Sequence, residues 1–348
     1  MNEQYGLLKK LCIRTVNEEM SGFKTFVFED GHNIQYKAGQ YLTFVHNQNQ
    51  QEVRRSYSIT SSPVLQEPLT IGVKRIENGM FSRQLIDHAK PGDELWTTGS
   101  GGLFILPEVM QLYQQLFFFA AGSGITPIYS LIKTALYAHP QVSLVLIYSN
   151  TSPERALFLT PLQQLQQQFA GRFHLELLFS NSFNLMRAHL HRNLIFEFLD
   201  QYAVAQKDNV LFYICGPENY MRLCTYTLQE LGIDANNIKK ENFIIYARPK
   251  QDKAPPDKED HQARIHFGNR TYNIPVNYPD SILKAAKKTG LLLPYSCEAG
   301  RCGNCVARCT KGTVWHSFNE VLTERELQQG LVLTCVGHPV HGNVELEL

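Results

Sequence analysis

Three cysteines within nine residues constrain this chain more than any other feature. Cys297, Cys302 and Cys305 follow the spacing C-x4-C-x2-C, and Cys335 comes after 29 further residues. With this spacing four thiolates hold two sulfide-bridged irons in a plant-type [2Fe–2S] cluster. Gly300 and Gly303 suit that task, because glycine lets a loop wrap closely and turn backbone N–H groups toward the sulfurs. A structural zinc site usually pairs two short C-x2-C-like knuckles, and only one is present. A set of free buried thiols would not place three cysteines on one glycine-rich loop. Cys12, Cys224 and Cys309 show no such pattern and read as ordinary core or surface residues.

The cysteine module fills only the C-terminal end of 348 residues. At roughly 100–200 residues per domain, two or three domains are expected. Residues 248–261 (RPKQDKAPPDKEDH) contain adjacent prolines, both signs of charge and no large apolar side chain. That composition makes a semi-stiff, solvated linker. Beyond it, segments 265–267 and 272–276 form an expected hairpin turning at Gly268-Asn269, and Asp280 is placed to cap a helix over 281–289. An α+β, β-grasp-like module is expected here.

The first third alternates in short steps. Segments 7–13, 23–28, 41–45, 56–59 and 69–73 read as strands, most of them separated by Gly, Pro, Asn or Asp, which predicts an antiparallel β-barrel ending near Pro107. From residue 116 the texture changes. Wholly apolar strands (116–121, 142–148, 173–179, 210–214) alternate with helical stretches (127–137, 160–169, 219–231). Strands that are apolar on both sides belong to a parallel sheet covered by helices, a doubly wound α/β nucleotide-binding layout. The expected domains are 1–107, 108–247 and 263–348, with the linker at 248–262.

Charge and composition narrow the partners. Lys and Arg number 33 against 32 Asp and Glu, so a strongly basic nucleic-acid binder is excluded as a first expectation. The start, Met-Asn-Glu-Gln-Tyr-Gly, lacks a basic segment followed by an apolar core, so no signal peptide is expected. The most apolar run, 116–121, is far too short to span a membrane. A cytoplasmic protein with reduced thiols is the expectation.

Four short motifs carry chemistry. In Arg55-Ser56-Tyr57-Ser58, on an expected strand, Arg55 and Tyr57 share a face. There an Arg can fork onto a phosphate while an aromatic lies against a ring system, although an Arg–Tyr pair on a strand is also common surface packing. Gly79-Met80-Phe81-Ser82 opens an expected helix over 81–89, whose free N–H groups suit a pyrophosphate or an ordinary Ser-containing start. Gly122-Ser123-Gly124-Ile125-Thr126-Pro127 turns from the first apolar strand into a helix and admits a dinucleotide backbone, without being G-x-G-x-x-G. Cys215-Gly216-Pro217 ends the strand 210–214 at the carboxyl edge of the sheet, where open α/β folds bind ligands.

R-x-Y-S, G-x-x-S, A-G-S-G-I-T-P and C-G-P, in that order, resemble the ferredoxin–NADP reductase family. With the appended cysteine module, the whole chain resembles reductase components of multicomponent oxygenases. The resemblance implies that Arg55 contacts a flavin phosphate, Tyr57 stacks on the isoalloxazine and Ser58 bonds near its N5. It implies that Gly79, Met80, Phe81 and Ser82 hold the pyrophosphate, and that Gly122, Ser123, Gly124 and Thr126 receive the nicotinamide dinucleotide. Cys215, with Gly216 and Pro217, would lie near the nicotinamide C4, which makes Ser58 and Cys215 the expected catalytic pair. Glu241-Asn242-Phe243 matches a Glu-x-Phe close to the flavin, with Phe243 among the contacts. The N-G-M-F-S-R stretch is more like FAD-binding than FMN-binding relatives. For the coenzyme, no acid directly follows the strand 142–148, and Arg155 is available to a 2′-phosphate, although the family's usual Arg position holds Thr151. NADPH is favoured over NADH.

A nicotinamide gives two electrons as hydride and a [2Fe–2S] cluster takes one, so a flavin must lie between them. The expected route is NAD(P)H to FAD to [2Fe–2S] to a terminal oxygenase or another one-electron acceptor. A reductase for a different electron-transfer protein or metal-cluster enzyme is the alternative, and a redox-sensing module is less favoured because no DNA-binding element or basic stripe is present. From 264 to 348 the module carries nine Lys/Arg and seven Asp/Glu. Freely diffusing plant-type ferredoxins are acidic by contrast, and a tethered module gains effective concentration instead of electrostatic steering.

Overall fold

The computed structural model describes residues 8–48, 51–243 and 254–348, which fall into two compact units, Lys9–Phe243 and 254–348. Residue 7 of the first expected strand, the expected 247/248 boundary and linker residues 248–253 lie outside the described residues.

The first unit begins with an antiparallel sheet of six strands: β1 (Lys9–Met20), β2 (Phe23–Phe28), β3 (Tyr41–Gln48), β4 (Gln51–Ser58), β5 (Thr70–Lys74) and β6 (Glu94–Gly101), with helix α1 (Met80–His88) between β5 and β6. The order is β4-β3-β6-β1-β2-β5. Its ends meet where Ile59, one residue past β4, bridges antiparallel to Ile71 of β5, so the sheet closes into the expected barrel. Ile13, Phe26, Phe44 and Ile71 fill the interior, and α1 covers it with Phe81, Leu85 and Ile86. The β2 bounds match the sequence expectation. Two differences have a common cause. β4 starts at Gln51 rather than 56, and β6 has no counterpart among the expected strands, because QEVRR and ELWTTGSG carry little apolar alternation. Pairing with neighbouring strands places them, β4 along β3 and β6 between β1 and β3.

The same unit continues into a parallel sheet of β7 (Gln115–Ala121), β8 (Ser143–Asn150), β9 (Phe173–Phe179), β10 (Val210–Cys215) and β11 (Ile238–Glu241), in the order β11-β10-β7-β8-β9. Helices α2 (Ile125–Ala138), α3 (Leu159–Gln168), α4 (Arg192–Tyr202) and α5 (Glu218–Glu230) connect the strands. Consecutive strand residues point to opposite faces, and two cores result. Phe118, Leu146 and Tyr213 pack with α2 and α3. Phe117, Phe119, Ile147 and Phe212 pack with α4 and α5. Both faces are therefore apolar, which explains the unbroken hydrophobic runs. The chain runs outward from β7 through β8 to β9, then returns to β10 on the other side. That reversal makes the β7–β10 boundary the switch point of the sheet.

The second unit is a mixed sheet of β12 (His261–Phe267), β13 (Arg270–Val276), β14 (Val306–His316), β15 (Leu331–Leu333) and β16 (Gly337–Glu347), with α6 (Ile282–Lys288) and α7 (Glu324–Gln328). The order is β13-β12-β16-β14-β15, and only β12–β16 is parallel. The expected hairpin is present, but β12 begins at His261, inside the expected linker 248–262, because pairing with β13 extends the strand. The cap of α6 differs from expectation: the Ser281 side chain accepts the Lys284 N–H, while the largely buried Asp280 carboxylate binds the ammonium groups of Lys284 (2.8 Å) and Lys288. A carboxylate able to reach two cations is held by them rather than by the helix end.

Candidate functional site

On β4, Arg55 stands opposite Phe44 and Tyr57 opposite Leu42 in the β3–β4 register, so both lie on one face. Arg55 is exposed, Tyr57 half-buried and Ser58 buried. The Tyr57 ring centroid lies 6.1 Å from those of Phe44 and Phe81. Burial pushes its phenol pKa up against the opposing pull of Arg55, so it remains a neutral aromatic surface. Tyr57 and Phe81 belong to different sequence motifs, and folding joins them.

Gly79 is the N-cap of α1, and a Cβ there would fall 2.5 Å from the Ser82 hydroxyl. Ser82 is already engaged: its hydroxyl donates to the Gly79 carbonyl (3.0 Å) and accepts from the Ile76 N–H (3.2 Å). It braces the turn, which leaves the free N–H groups of the first helical turn as the donors available to a phosphate. Met80 is half-exposed beside them.

The Gly122–Pro127 and Cys215–Pro217 motifs meet at the sheet's switch point. Gly122 has φ +54°, a conformation suited to glycine, with open space where a Cβ would stand. Gly124 abuts the end of β10 so closely that a Cβ would lie 2.1 Å from the Cys215 carbonyl oxygen. A Cβ at Gly216 would lie 2.9 Å from that of Ala121. Two motifs about ninety residues apart thus touch backbone to backbone. Thr126 donates to the Ser123 carbonyl (2.9 Å), and the Tyr148 hydroxyl lies 3.3 Å from both the Gly122 and Leu157 carbonyls. Pro217 caps α5. Arg155 is exposed on the turn after β8, and Phe243 is exposed just beyond β11.

Cys215 is fully buried, and its thiol pKa is pushed far up by burial and then by the Glu241 charge. Cys215 and Glu241 are register partners. Glu241 retains some exposed surface, but burial of its carboxyl raises the pKa to about 8. An acid raised in this way holds its proton more firmly folded than unfolded. Stability is therefore full below about pH 4.5, declines as pH rises toward 8 and then levels off. Urea unfolding across that range should show a loss on the order of one to a few kcal/mol that Glu241→Gln abolishes.

In the second unit the cysteine loop turns at Gly300 (φ +70°) and Gly303 (φ +71°), and a Cβ at Gly300 would press 2.8 Å from the Phe318 carbonyl. Cys305 and Cys335 are buried, Cys297 and Cys302 partly so, and all are free thiols. The Cys297 sulfur faces those of Cys302 and Cys335, and the Cys305 sulfur faces that of Cys335. Hydrogen bonds from Cys302 and Cys335 hold the Cys297 thiol far below its usual range, with help from the Ala299 and Arg301 N–H groups. The Ala299 N–H reaches the sulfur at 3.4 Å. The buried Asn304 amide nitrogen has no acceptor among the described residues. Among the described residues no three His, Cys, Asp or Glu side chains are arranged to hold a single metal ion. Four thiols, with backbone N–H groups directed at the Cys297 sulfur, are a donor set that fits an anionic binuclear cluster.

Residues 12–105 match the oxidoreductase FAD-binding domain, residues 118–225 the oxidoreductase NAD-binding domain and residues 265–340 the 2Fe-2S iron-sulfur cluster binding domain. The chain is 29% identical over 345 residues to a component of the 1,2-phenylacetyl-CoA epoxidase of Escherichia coli K12, covering 97% of this chain and 96% of that one. It is 29% identical over 353 residues to the ferredoxin reductase component of 3-ketosteroid-9-alpha-monooxygenase of Mycolicibacterium smegmatis, again covering 97% and 96%. Among solved structures, phthalate dioxygenase reductase shares the fold with a TM-score of 0.58 at 21% identity, over 99% of both chains.

Proposed function

The chain is an NAD(P)H-dependent oxidoreductase joining FAD-binding, NAD-binding and [2Fe–2S] domains, and on that premise we propose that it serves as the reductase of an oxygenase system, handing electrons singly to a terminal oxygenase. The observation that carries this reading is the presence, in one chain, of the flavin and coenzyme motifs in a single compact unit and of the four-cysteine loop in another. When bound, flavin and cluster would supply the redox chemistry, which splits the electron pair of one hydride into single electrons. The protein's own part is positional. Arg55 and the α1 N–H groups take the phosphates, Tyr57 supports the flavin ring, and Ser58 donates a hydrogen bond near its N5. The Gly122–Gly124 turn cradles the coenzyme pyrophosphate, and the packed edge formed by Gly124, Cys215 and Gly216 presents the nicotinamide. Cys297, Cys302, Cys305 and Cys335 hold the irons. Arg155 faces the 2′-phosphate, which gives a preference for NADPH.

Similarity to the epoxidase component over nearly both full lengths favours a phenylacetyl-CoA epoxidase-like system as the acceptor. All eight cysteines are free, in keeping with a reducing cytoplasm, and no described helix is long and apolar enough to cross a membrane. Anaerobic titration with NADPH and with NADH tests the proposal. NADPH should bleach the flavin absorbance at lower concentration, and the paramagnetic signal of a reduced [2Fe–2S] cluster should follow. Flavin bleaching without that signal, in protein containing iron and acid-labile sulfide, would overturn it.

A further inference from the structure

A cluster of buried polar side chains in the first unit lies where α2 meets the loop after β4, and none of its residues belongs to the proposed cofactor motifs. Ser61, Ser62, Ser130, Lys133 and Thr134 are all buried there. The Ser130 hydroxyl donates to the Ser61 carbonyl at 2.6 Å, and the Ser62 and Thr134 hydroxyls are 2.7 Å apart. The Lys133 ammonium pairs with Glu67, whose same oxygen accepts the Ser62 N–H at 2.7 Å. Lys133 also sits 4.4 Å above the Tyr129 ring, and Tyr129 stacks on Phe158 at 4.6 Å. Phe158 in turn meets Phe23 of β2 edge-on.

The position of this seam gives it meaning. Ser61 and Ser62 follow Ser58 by three and four residues, and Ser130 and Thr134 follow Thr126 by four and eight. The seam therefore ties the end of the flavin strand to the helix that springs from the coenzyme turn. The hydrophobic effect is non-directional, so apolar packing holds register through shape alone. Buried hydrogen bonds add a directional restraint, since a small shift leaves desolvated donors and acceptors unpaired.

We propose that this seam is a register lock for hydride transfer, with Lys133 as a positioning residue that fixes the coenzyme turn relative to the flavin strand. The inference rests on the functional reading above. Hydride transfer demands near-attack geometry, and a misplacement of about 1 Å can cost about a hundredfold in rate. Lys133→Met keeps the stem volume and removes the ion pair, and Glu67 remains partly solvated and bonded to Ser62.

The test is anaerobic stopped-flow reduction of the flavin in the full-length holoprotein. In Lys133→Met the limiting rate at saturating NADPH should fall about tenfold or more. The dissociation constant for NADPH should stay within about twofold, and ferricyanide oxidation of dithionite-reduced protein should be unchanged. Ser130→Ala should give a smaller drop with the same split, and it decides the matter if Lys133→Met does not retain flavin. General loosening would instead move the rate, the coenzyme affinity, the flavin content and the melting temperature together, and that result would overturn the lock. Wild-type limiting rates in both variants would also overturn it. An unsubstituted protein whose flavin neither NADPH nor NADH reduces would overturn the functional reading itself, and the lock with it.

Discussion

Replacing Cys302 with serine should leave NADPH-dependent reduction of ferricyanide within about twofold of the parent while cytochrome c reduction falls by about a hundredfold or more. The two activities separate because they draw on different units. Ferricyanide can take electrons at the flavin, whose proposed contacts lie in Lys9–Phe243. Cytochrome c stands in for a one-electron protein partner and depends on the second unit. Serine is a poor substitute for a thiolate toward iron, and Cys302 is one of the sulfurs facing Cys297. Iron and acid-labile sulfide should therefore fall well below two of each per chain, the content of one [2Fe–2S] cluster. Undiminished cytochrome c reduction in a cluster-depleted Cys302→Ser protein would show that electrons leave from the flavin, and the proposed route would fail.

The second large effect is expected at Gly124. A methyl group there would fall 2.1 Å from the Cys215 carbonyl oxygen and 2.9 Å from the Gly216 nitrogen. These are backbone atoms at the end of β10, so no side chain can swing aside to relieve the clash. Gly124→Ala must push the coenzyme turn off the end of β10. The cost should be roughly 1–3 kcal/mol of stability, as for other overpacked sites, read by urea unfolding. The kinetic loss should be larger, about a hundredfold in the kcat/KM of NADPH oxidation, because the turn and the Cys215 edge shift apart. The flavin, held in the barrel by other residues, should be retained. Wild-type kinetics in this variant would mean that the β7–β10 contact does not position the coenzyme.

Gly124 also shows what kind of information each level carries. Its motif is readable as a dinucleotide turn, and Cys215-Gly216-Pro217 as a sheet-edge loop, but nothing in the linear chain says that the two must touch. The pairing of β7 with β10 makes that contact. Tyr57 and Phe81 are a similar case, two motif residues that meet only after the barrel closes.

The misses follow the same logic. β6 and the front of β4 are polar enough to read as loop, and their partner strands make them strands. Asp280 reads as the cap of α6 because it stands just before the helix, yet two lysines on the first and last turns of that helix engage its carboxylate and leave the capping to Ser281. Lys133 is the one charged residue of α2, and nothing in the linear chain marks its partner. Its role depends on Glu67, sixty-six residues earlier.

The sequence by itself determined the chemistry. The C-x4-C-x2-C spacing with Cys335 specifies a cluster because metal coordination is a property of side-chain type and short loop length, both local. The apolar strands and the linker composition likewise announced three domains, because strand and loop preferences are written residue by residue. Only the tertiary structure decided the geometry between motifs: which backbone abuts Gly124, which rings surround Tyr57, and which carboxylate receives Lys133. Those relations arise from packing between segments far apart in the chain, and close-packed interiors fix them to within tenths of an ångström that no local pattern records.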